Sequence, residues 1–315
     1  MDNESLMLST SFEKAKYSLA AFALNFVTVS LRILPLKVLD HFSYGISAVL
    51  WSTNKRRRAI TLKNLRSILA LSDESSIRVG KRSFYSNILV IIESICMHRL
   101  LRRSYKSTRM DVSDEAQRLI HKCQSGEIPL TIAISSHYGV WEYVGAWLAS
   151  VVSPTKTIVA SKLPKNRVVA DHLKNIRTEY GLHLFDKKEV TREVLNAHKG
   201  SLPPHLCMLL CDQHEGNGLK VPFLGKKCCT TNVPARLIHK YKLPALIGIA
   251  RREKLGSYYI SIDVLPLSGL ELLYDSEAYK EITLRINTIL SSYIREAPSQ
   301  WIWMHRRWRE CCGED

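Results

Sequence analysis

His137-Tyr138-Gly139-Val140-Trp141-Glu142 sets an imidazole and a carboxylate five positions apart in a stretch with no other charge. Such a pair can do acid–base chemistry. A neutral imidazole accepts a proton from a hydroxyl, and a nearby carboxylate holds its tautomer and stabilises the imidazolium. The run Ile128-Pro-Leu-Thr-Ile-Ala-Ile134 is short, β-branched and bounded by turn formers, which predicts a buried strand, and Trp141 to Val151 predicts a helix. His137 and Glu142 thus flank a strand-to-helix turn, where open α/β sheets hold ligands. Ser135 and Ser136 stand just before, but no G-x-S-x-G elbow surrounds them, so they read as turn residues and not as nucleophiles. On spacing alone a plainer account is also open, in which His137 caps the turn and Glu142 is a first-turn acid in the helix dipole.

The elements that must carry this turn follow from periodicity. Helical patterns occupy Val38 to Trp51 and Arg57 to Leu71, and after the start signal Ser72-Asp73-Glu74 one or two long helices run from Ser76 to Leu101. From Leu130 onward short apolar runs alternate with helical stretches. Strands are predicted at Thr131 to Ile134, Lys156 to Val159, Leu182 to Phe185, Leu206 to Cys211, Ala245 to Ala250 and Tyr258 to Val264. Helices are predicted at Trp141 to Val151, Asn166 to Tyr180, Thr191 to Lys199, Val233 to Tyr241 and Glu277 to Glu296. This alternation implies an α/β fold with a mixed, mostly parallel sheet flanked by helices.

The chain has 315 residues, 46% of them hydrophobic, and a formal charge of +16, which excludes a disordered or fibrous protein and implies a polyanionic partner or surface. Aromatic signatures of single-strand RNA readers are missing. Lys55 to Arg58 follows an apolar N-terminal region, as a basic collar against anionic head groups would. Within that region Tyr17 to Leu31 is uncharged, but fifteen helical residues reach only about 22 Å against a hydrocarbon core of roughly 30 Å. Extension through Arg32 to Leu36 would need the arginine to snorkel. The segment is read as a marginal span or interfacial anchor, with a buried core helix as the alternative. Residues 1–54 are assigned to the anchor and 55–315 to the catalytic domain.

Eight cysteines stand at 96, 123, 207, 211, 228, 229, 311 and 312. Their adjacent pairs make no disulfide framework, and Cys207 and Cys211 share one face of a predicted strand as small buried hydrophobes, consistent with a reducing compartment and no metal site.

Further segments bear on the His–Glu spacing. Asp212-Gln213 follows the apolar run His205 to Cys211. Downstream come Val221-Pro-Phe-Leu-Gly225, Lys226 and Thr230-Thr231, and the chain closes on Trp303-Met-His-Arg-Arg-Trp-Arg309. Upstream stand Asn64-Leu-Arg66, Ser83-Phe84, Asn87, then Asn166 and Arg177 ahead of Tyr180-Gly181. In this order they resemble the late acyltransferases of lipid A biosynthesis, the lauroyl and myristoyl transferase group within the lysophospholipid acyltransferase superfamily, from about Tyr17 to Arg309. The sequence departs from that pattern at His214, where the family carries a second acid, and at Lys162, where relatives often carry arginine.

The resemblance implies acyl transfer from an acyl carrier protein thioester to a hydroxyl of a partly acylated lipid A precursor, with an acyl-coenzyme A donor or another glycolipid or aminolipid acceptor as the alternative. A basic nucleic-acid-binding protein is the competing class, although no nucleic-acid partner is expected. The resemblance makes His137 the general base and Glu142 its orienting carboxylate, and places Arg177, Asp212, Gln213, Asn166, Gly225 and Thr231 in substrate binding, with Thr231 equally a helix cap. It implies no metal or organic cofactor, and a site at the bacterial inner membrane facing the cytoplasm. His305 to Trp308 is expected at phosphate or the membrane surface. Trp301, Trp303 and Trp308 suit an interfacial belt or the packing of a C-terminal element.

Overall fold

The computed structural model describes residues 3–104, 107–152, 156–161, 163–199, 205–270 and 272–311; Lys162 and Cys312 lie outside them. The chain begins with α1 (Asn3–Ile33), α2 (Leu36–Thr53), α3 (Lys55–Leu69), α4 (Asp73–Ile95) and α5 (Met97–Ser104). It continues through β1 (Arg109–Val112), α6 (Asp114–Gln124), β2 (Leu130–Ser135), α7 (Trp141–Val151), β3 (Lys156–Ala160), α8 (Arg167–Thr178), β4 (Leu182–Phe185) and α9 (Lys187–His198). It ends with β5 (His205–Leu210), the hairpin β6 (His214–Phe223) and β7 (Lys226–Thr230), α10 (Val233–Tyr241), β8 (Ala245–Lys254), β9 (Ser257–Val264) and α11 (Asp275–Glu296).

Among the described residues, seven strands form one sheet in the order β1-β9-β8-β2-β5-β3-β4. β8, β2, β5, β3 and β4 run parallel, while β9 turns back against β8 and carries β1 with it. The sheet is therefore mixed and mostly parallel. β2 is central and every one of its residues is buried, which explains an apolar run without polar alternation. Its side chains serve both faces: Ile132 and Ile134 join a core with α9, α10 and α11, whereas Ala133 joins one with α4 to α8. β6 and β7 form a separate hairpin outside this sheet, absent from the periodicity because His214 to Leu219 is polar and half-exposed.

The N-terminal region corrects one expectation. No helix among the described residues is long and apolar enough to cross a membrane. α1 lies against α8 instead: Tyr17 donates to Asp171 Oδ2 (2.8 Å), Thr28 Oγ1 meets His172 Nε2 (2.8 Å), and Arg32 pairs with Glu179 (2.5 Å) while donating to the Ile95 carbonyl (2.9 Å). Arg32 is thus fixed inside the fold and does not snorkel. The opposite side of α1 is apolar and exposed at Leu19, Phe22, Phe26, Val29 and Ile33, positions that share one helical face.

The cysteines bring a second correction. Cys229 of β7 is bonded to Cys311, 82 residues away, with Cα atoms 5.8 Å apart. Folding the C-terminal tail beside β7 creates this pair, which no local spacing announces. Cys207 and Cys211 are buried and free, as expected.

Candidate active site

β2 and β5 are neighbours in a register that offsets residue numbers by 75, from Leu130 opposite His205 to Ser135 opposite Leu210. Continued two residues past the strand ends, the same offset sets His137 against Asp212. The two meet at the carboxyl ends of parallel strands. Asp212 Oδ1 lies 2.8 Å from His137 Nδ1, and Oδ2 accepts both the His137 backbone N–H (2.9 Å) and the Trp301 indole N–H (2.7 Å). Gln213 Nε2 stands 3.3 Å from His137 Nε2, and Trp141 packs edge-on against the ring. Asp212 is fully buried and His137 about one-fifth exposed, with Nδ1 held against the buried carboxylate and Nε2 facing the Gln213 amide. Burial tends to raise the Asp212 carboxyl, but the facing His137 and the hydrogen bonds from His137 and Trp301 outweigh it and hold it below the usual carboxylate range.

The turn between β2 and α7 is held as tightly. The Gly139 N–H donates to the Gln300 carbonyl (3.0 Å) and the Val140 N–H to the Ala250 carbonyl (2.7 Å). Gly139 has φ +58°, and a Cβ there would sit 2.0 Å from the Ala250 oxygen, so only glycine allows β8 to lie against this turn.

Glu142 is not the carboxylate at His137 Nδ1. It lies on the buried side of α7, 5% exposed, and both its oxygens are taken by α8 and the residues just after it. Arg177 Nε donates to both at 3.0 Å, Arg177 Nη2 adds a further bond, and Tyr180 OH donates to Oε2 at 3.2 Å. Burial acts against the Arg177 charge, but Glu142 more than offsets it and its pKa stays raised. The physical reason for the exchange is register: the carboxylate from the neighbouring strand reaches the imidazole, while Glu142 faces the helix layer.

Breaking this buried fork should be costly. Arg177→Ala is expected to destabilise the protein by about 3–5 kcal/mol, because it strands an ionised carboxylate in the core. Arg177→Lys should recover only part of that, since lysine lacks the planar fork. The double change Glu142→Gln, Arg177→Met should recover most. Urea unfolding of the three variants checks the ordering.

The other expected site residues separate. Asn166 caps α8, its side chain accepting the Val169 N–H at 3.2 Å. Thr231 Oγ1 accepts the Val233 N–H at 3.4 Å just ahead of α10, whose N-cap position is Asn232. Gly225 (φ +90°) and Leu224 (φ +53°) form the two-residue turn of the β6–β7 hairpin, docked on α11 through Leu224 N–H to Ser291 Oγ (2.9 Å) and Arg295 to the Leu224 carbonyl (3.0 Å).

The C-terminal segment is corrected as well. Arg307 is fully buried and reaches neither phosphate nor surface; it donates to the Cys229 carbonyl and Thr230 Oγ1, both at 2.5 Å, and lies 4.9 Å over the Phe223 ring. Trp301 and Trp303 are fully buried and meet edge-to-face at 4.8 Å, so the packing reading holds over the interfacial belt. Trp301 is the site residue that local reasoning missed. The cluster of tryptophans near the chain end was its only signal.

His305 belongs to the same wall. Its Nδ1 is buried with no hydrogen-bond partner among the described residues, and burial, opposed by Asp212 but reinforced by His137, Arg307 and Arg57, lowers its pKa to about 4. An unfolded histidine protonates near 6.5. Between those values the unfolded chain binds the proton first, so stability present above pH 6.5 is lost as pH falls towards 4. His305→Asn is expected to remove about 2 kcal/mol of this acid sensitivity, allowing for a ring that still touches solvent. Urea midpoints at pH 7 and 4.5 for both proteins test it.

A search of curated proteins finds none that matches this chain. A model of the bacterial lipid A biosynthesis acyltransferase family matches residues 7–310, a span that holds the His137–Asp212 pair, the Glu142–Arg177 fork and the tryptophan wall behind them. The chain belongs to the bacterial lipid A biosynthesis acyltransferase family.

Proposed function

We propose that the protein transfers a fatty acyl chain from acyl carrier protein to a hydroxyl of a partly acylated lipid A precursor, with His137 as general base. The observation that carries this reading is the Nδ1 contact with Asp212. A carboxylate there accepts the Nδ1 proton and leaves the Nε2 lone pair free at the exposed edge, where the Gln213 amide donates to it. When the acceptor hydroxyl replaces that amide, Nε2 takes its proton and the oxygen attacks the thioester carbonyl. The tetrahedral intermediate then collapses, the C–S bond breaks, and Nε2–H returns the proton to the thiolate. Asp212 stabilises the imidazolium between the two steps, and the displaced Gln213 amide is a ready donor for the oxyanion. Glu142 acts as a positioning residue, fixing α7 against α8 through Arg177. No serine or cysteine nucleophile is required, because the thioester is already activated.

The formal charge of +16 suits an acidic carrier protein and an anionic lipid. The exposed apolar face of α1, followed by Lys55 to Arg58 at the start of α3, suits a helix lying in the interface of the bacterial inner membrane with the site on the cytoplasmic side.

Mass spectrometry of a purified lipid A precursor incubated with acyl-loaded carrier protein and the enzyme in detergent tests the reading. A gain of one acyl chain is expected. No gain with any acyl length, from carrier protein or coenzyme A, would reject it.

A further inference from the structure

A cavity of about 470 Å³ lies beside the turn that carries His137, between α2, α4 and the outer end of the β8–β9 hairpin. That size suits a sugar with a charged group. Three cations line it, Lys37, Arg82 and Lys254, each exposed and none paired with a carboxylate among the described residues. The other charges of the wall are already matched. Arg252 is buried and spent on Glu93 (Nε to Oε1, 2.7 Å) and Ser86 (2.8 Å), and Glu253 lies 3.5 Å from Arg109. Asp40 accepts the Tyr85 hydroxyl, so of the two lining carboxylates, Asp40 and Glu253, neither is paired with Lys37, Arg82 or Lys254 among the described residues. Burial, and then Asp40 itself, push the Tyr85 phenol up, which keeps it a proton donor.

The cavity is tied to the catalytic turn through two backbone joints. Gln300, in its wall, receives the Gly139 N–H on its carbonyl, and its side-chain amide clamps Arg252 (N–H to Oε1 and Nε2 to the carbonyl, both 2.8 Å). Ala250, two residues before Arg252, holds Val140. β8 runs parallel to β2, so His137 follows the carboxyl end of β2 and the cavity is lined by the carboxyl-terminal residues of the adjacent β8. On its other flank the cavity adjoins the apolar surface: Leu36 and Lys37 line it, while Ile33 and Val38 beside them are exposed. An anionic head group attached to acyl chains fits that neighbourhood better than a soluble protein does.

We propose that this cavity is a subsite for a phosphate-bearing sugar head group of the acceptor lipid, with Lys37, Arg82 and Lys254 as its anion ligands, an assignment that rests on the acyl-transfer reading above. Each cation offers a charge-assisted hydrogen bond to phosphate. KM for the phosphorylated acceptor should rise roughly tenfold in Arg82→Ala or Lys254→Ala and roughly a hundredfold in the pair, with kcat held. The dephosphorylated acceptor should show a high KM that these changes leave alone. Equal KM changes for both acceptors, no change, or a rise confined to KM for the acyl donor would overturn the assignment; the last would give the cavity to the donor's phosphodiester.

Calorimetric titration of the full-length protein with glucose 1-phosphate separates this proposal from the reaction it rests on. Binding by the wild type and loss in the double variant, with the melting temperature unchanged, supports the subsite even where no acyl transfer is seen. Acyl transfer without such binding leaves the reaction standing and removes the subsite.

Discussion

Alanine at His137 is expected to lower kcat for acyl transfer by about 10³- to 10⁴-fold, the range lost when a positioned general base is removed. Without the imidazole the acceptor hydroxyl must lose its proton to water while it attacks. A neutral alcohol is a poor nucleophile even towards a thioester. The effect should fall on kcat and not on KM, because the ring meets the hydroxyl proton only as the transition state forms. Stability should change little. His137 is about one-fifth exposed, and its removal leaves the Trp301 and backbone donors still on Asp212. Single-turnover rates read by mass spectrometry, with urea midpoints as control, check both halves. Activity within tenfold of wild type would remove His137 from the base role and leave the family assignment intact.

Asp212→Asn should cost about 10³-fold in kcat, for a different reason. The side chain keeps its shape but loses its charge, and one of its faces becomes an N–H₂ donor. Asp212 now accepts three hydrogen bonds, from His137 Nδ1, the His137 backbone and the Trp301 indole. Asparagine can accept with its oxygen but must turn its amide nitrogen towards another donor. Either the ring adopts the wrong tautomer, with the proton on Nε2, or the Trp301 indole loses its partner. In both cases the imidazolium lacks its counter-charge. Because the Asp212 carboxyl is held below the usual carboxylate range, the wild-type rate should not fall through Asp212 as the pH is lowered across that range. The contrast with Glu142→Gln decides which carboxylate orients the base. Glu142 has both oxygens on Arg177 and Tyr180, so its loss should appear first as instability. A Glu142→Gln enzyme that folds fully and loses as much kcat as Asp212→Asn would reverse that assignment.

Much of the frame was legible from local pattern. α7 and α10 run from Trp141 to Val151 and from Val233 to Tyr241, as periodicity predicts, and β4 covers Leu182 to Phe185. These segments carry a clean period of 3.6 or a short apolar run between turn formers, and burial on the sheet enforces what the pattern suggests. β1 and the β6–β7 hairpin were not legible. β1 is largely exposed and only four residues long, and β6 is polar over its first half, so neither shows the apolar run used to find strands. Nor was the fate of α1. Its uncharged length suggested a span or an interfacial anchor, but partners on and just after α8, more than 130 residues away, hold one face of it to the fold and leave the opposite face exposed.

By itself the sequence determined the α/β class, the strand-to-helix turn that exposes His137, and a series of motifs specific enough to indicate an acyltransferase family. Spacing along the chain, however, can only suggest contacts a turn or two away, and it therefore offered Glu142 as the partner of His137. The tertiary structure chose Asp212, 75 residues on, because the parallel register of β2 and β5 brings their carboxyl ends level and the buried Trp301 holds the carboxylate in place. Register between strands is set by which side chains interdigitate in the two cores, a many-body packing condition that no single segment carries.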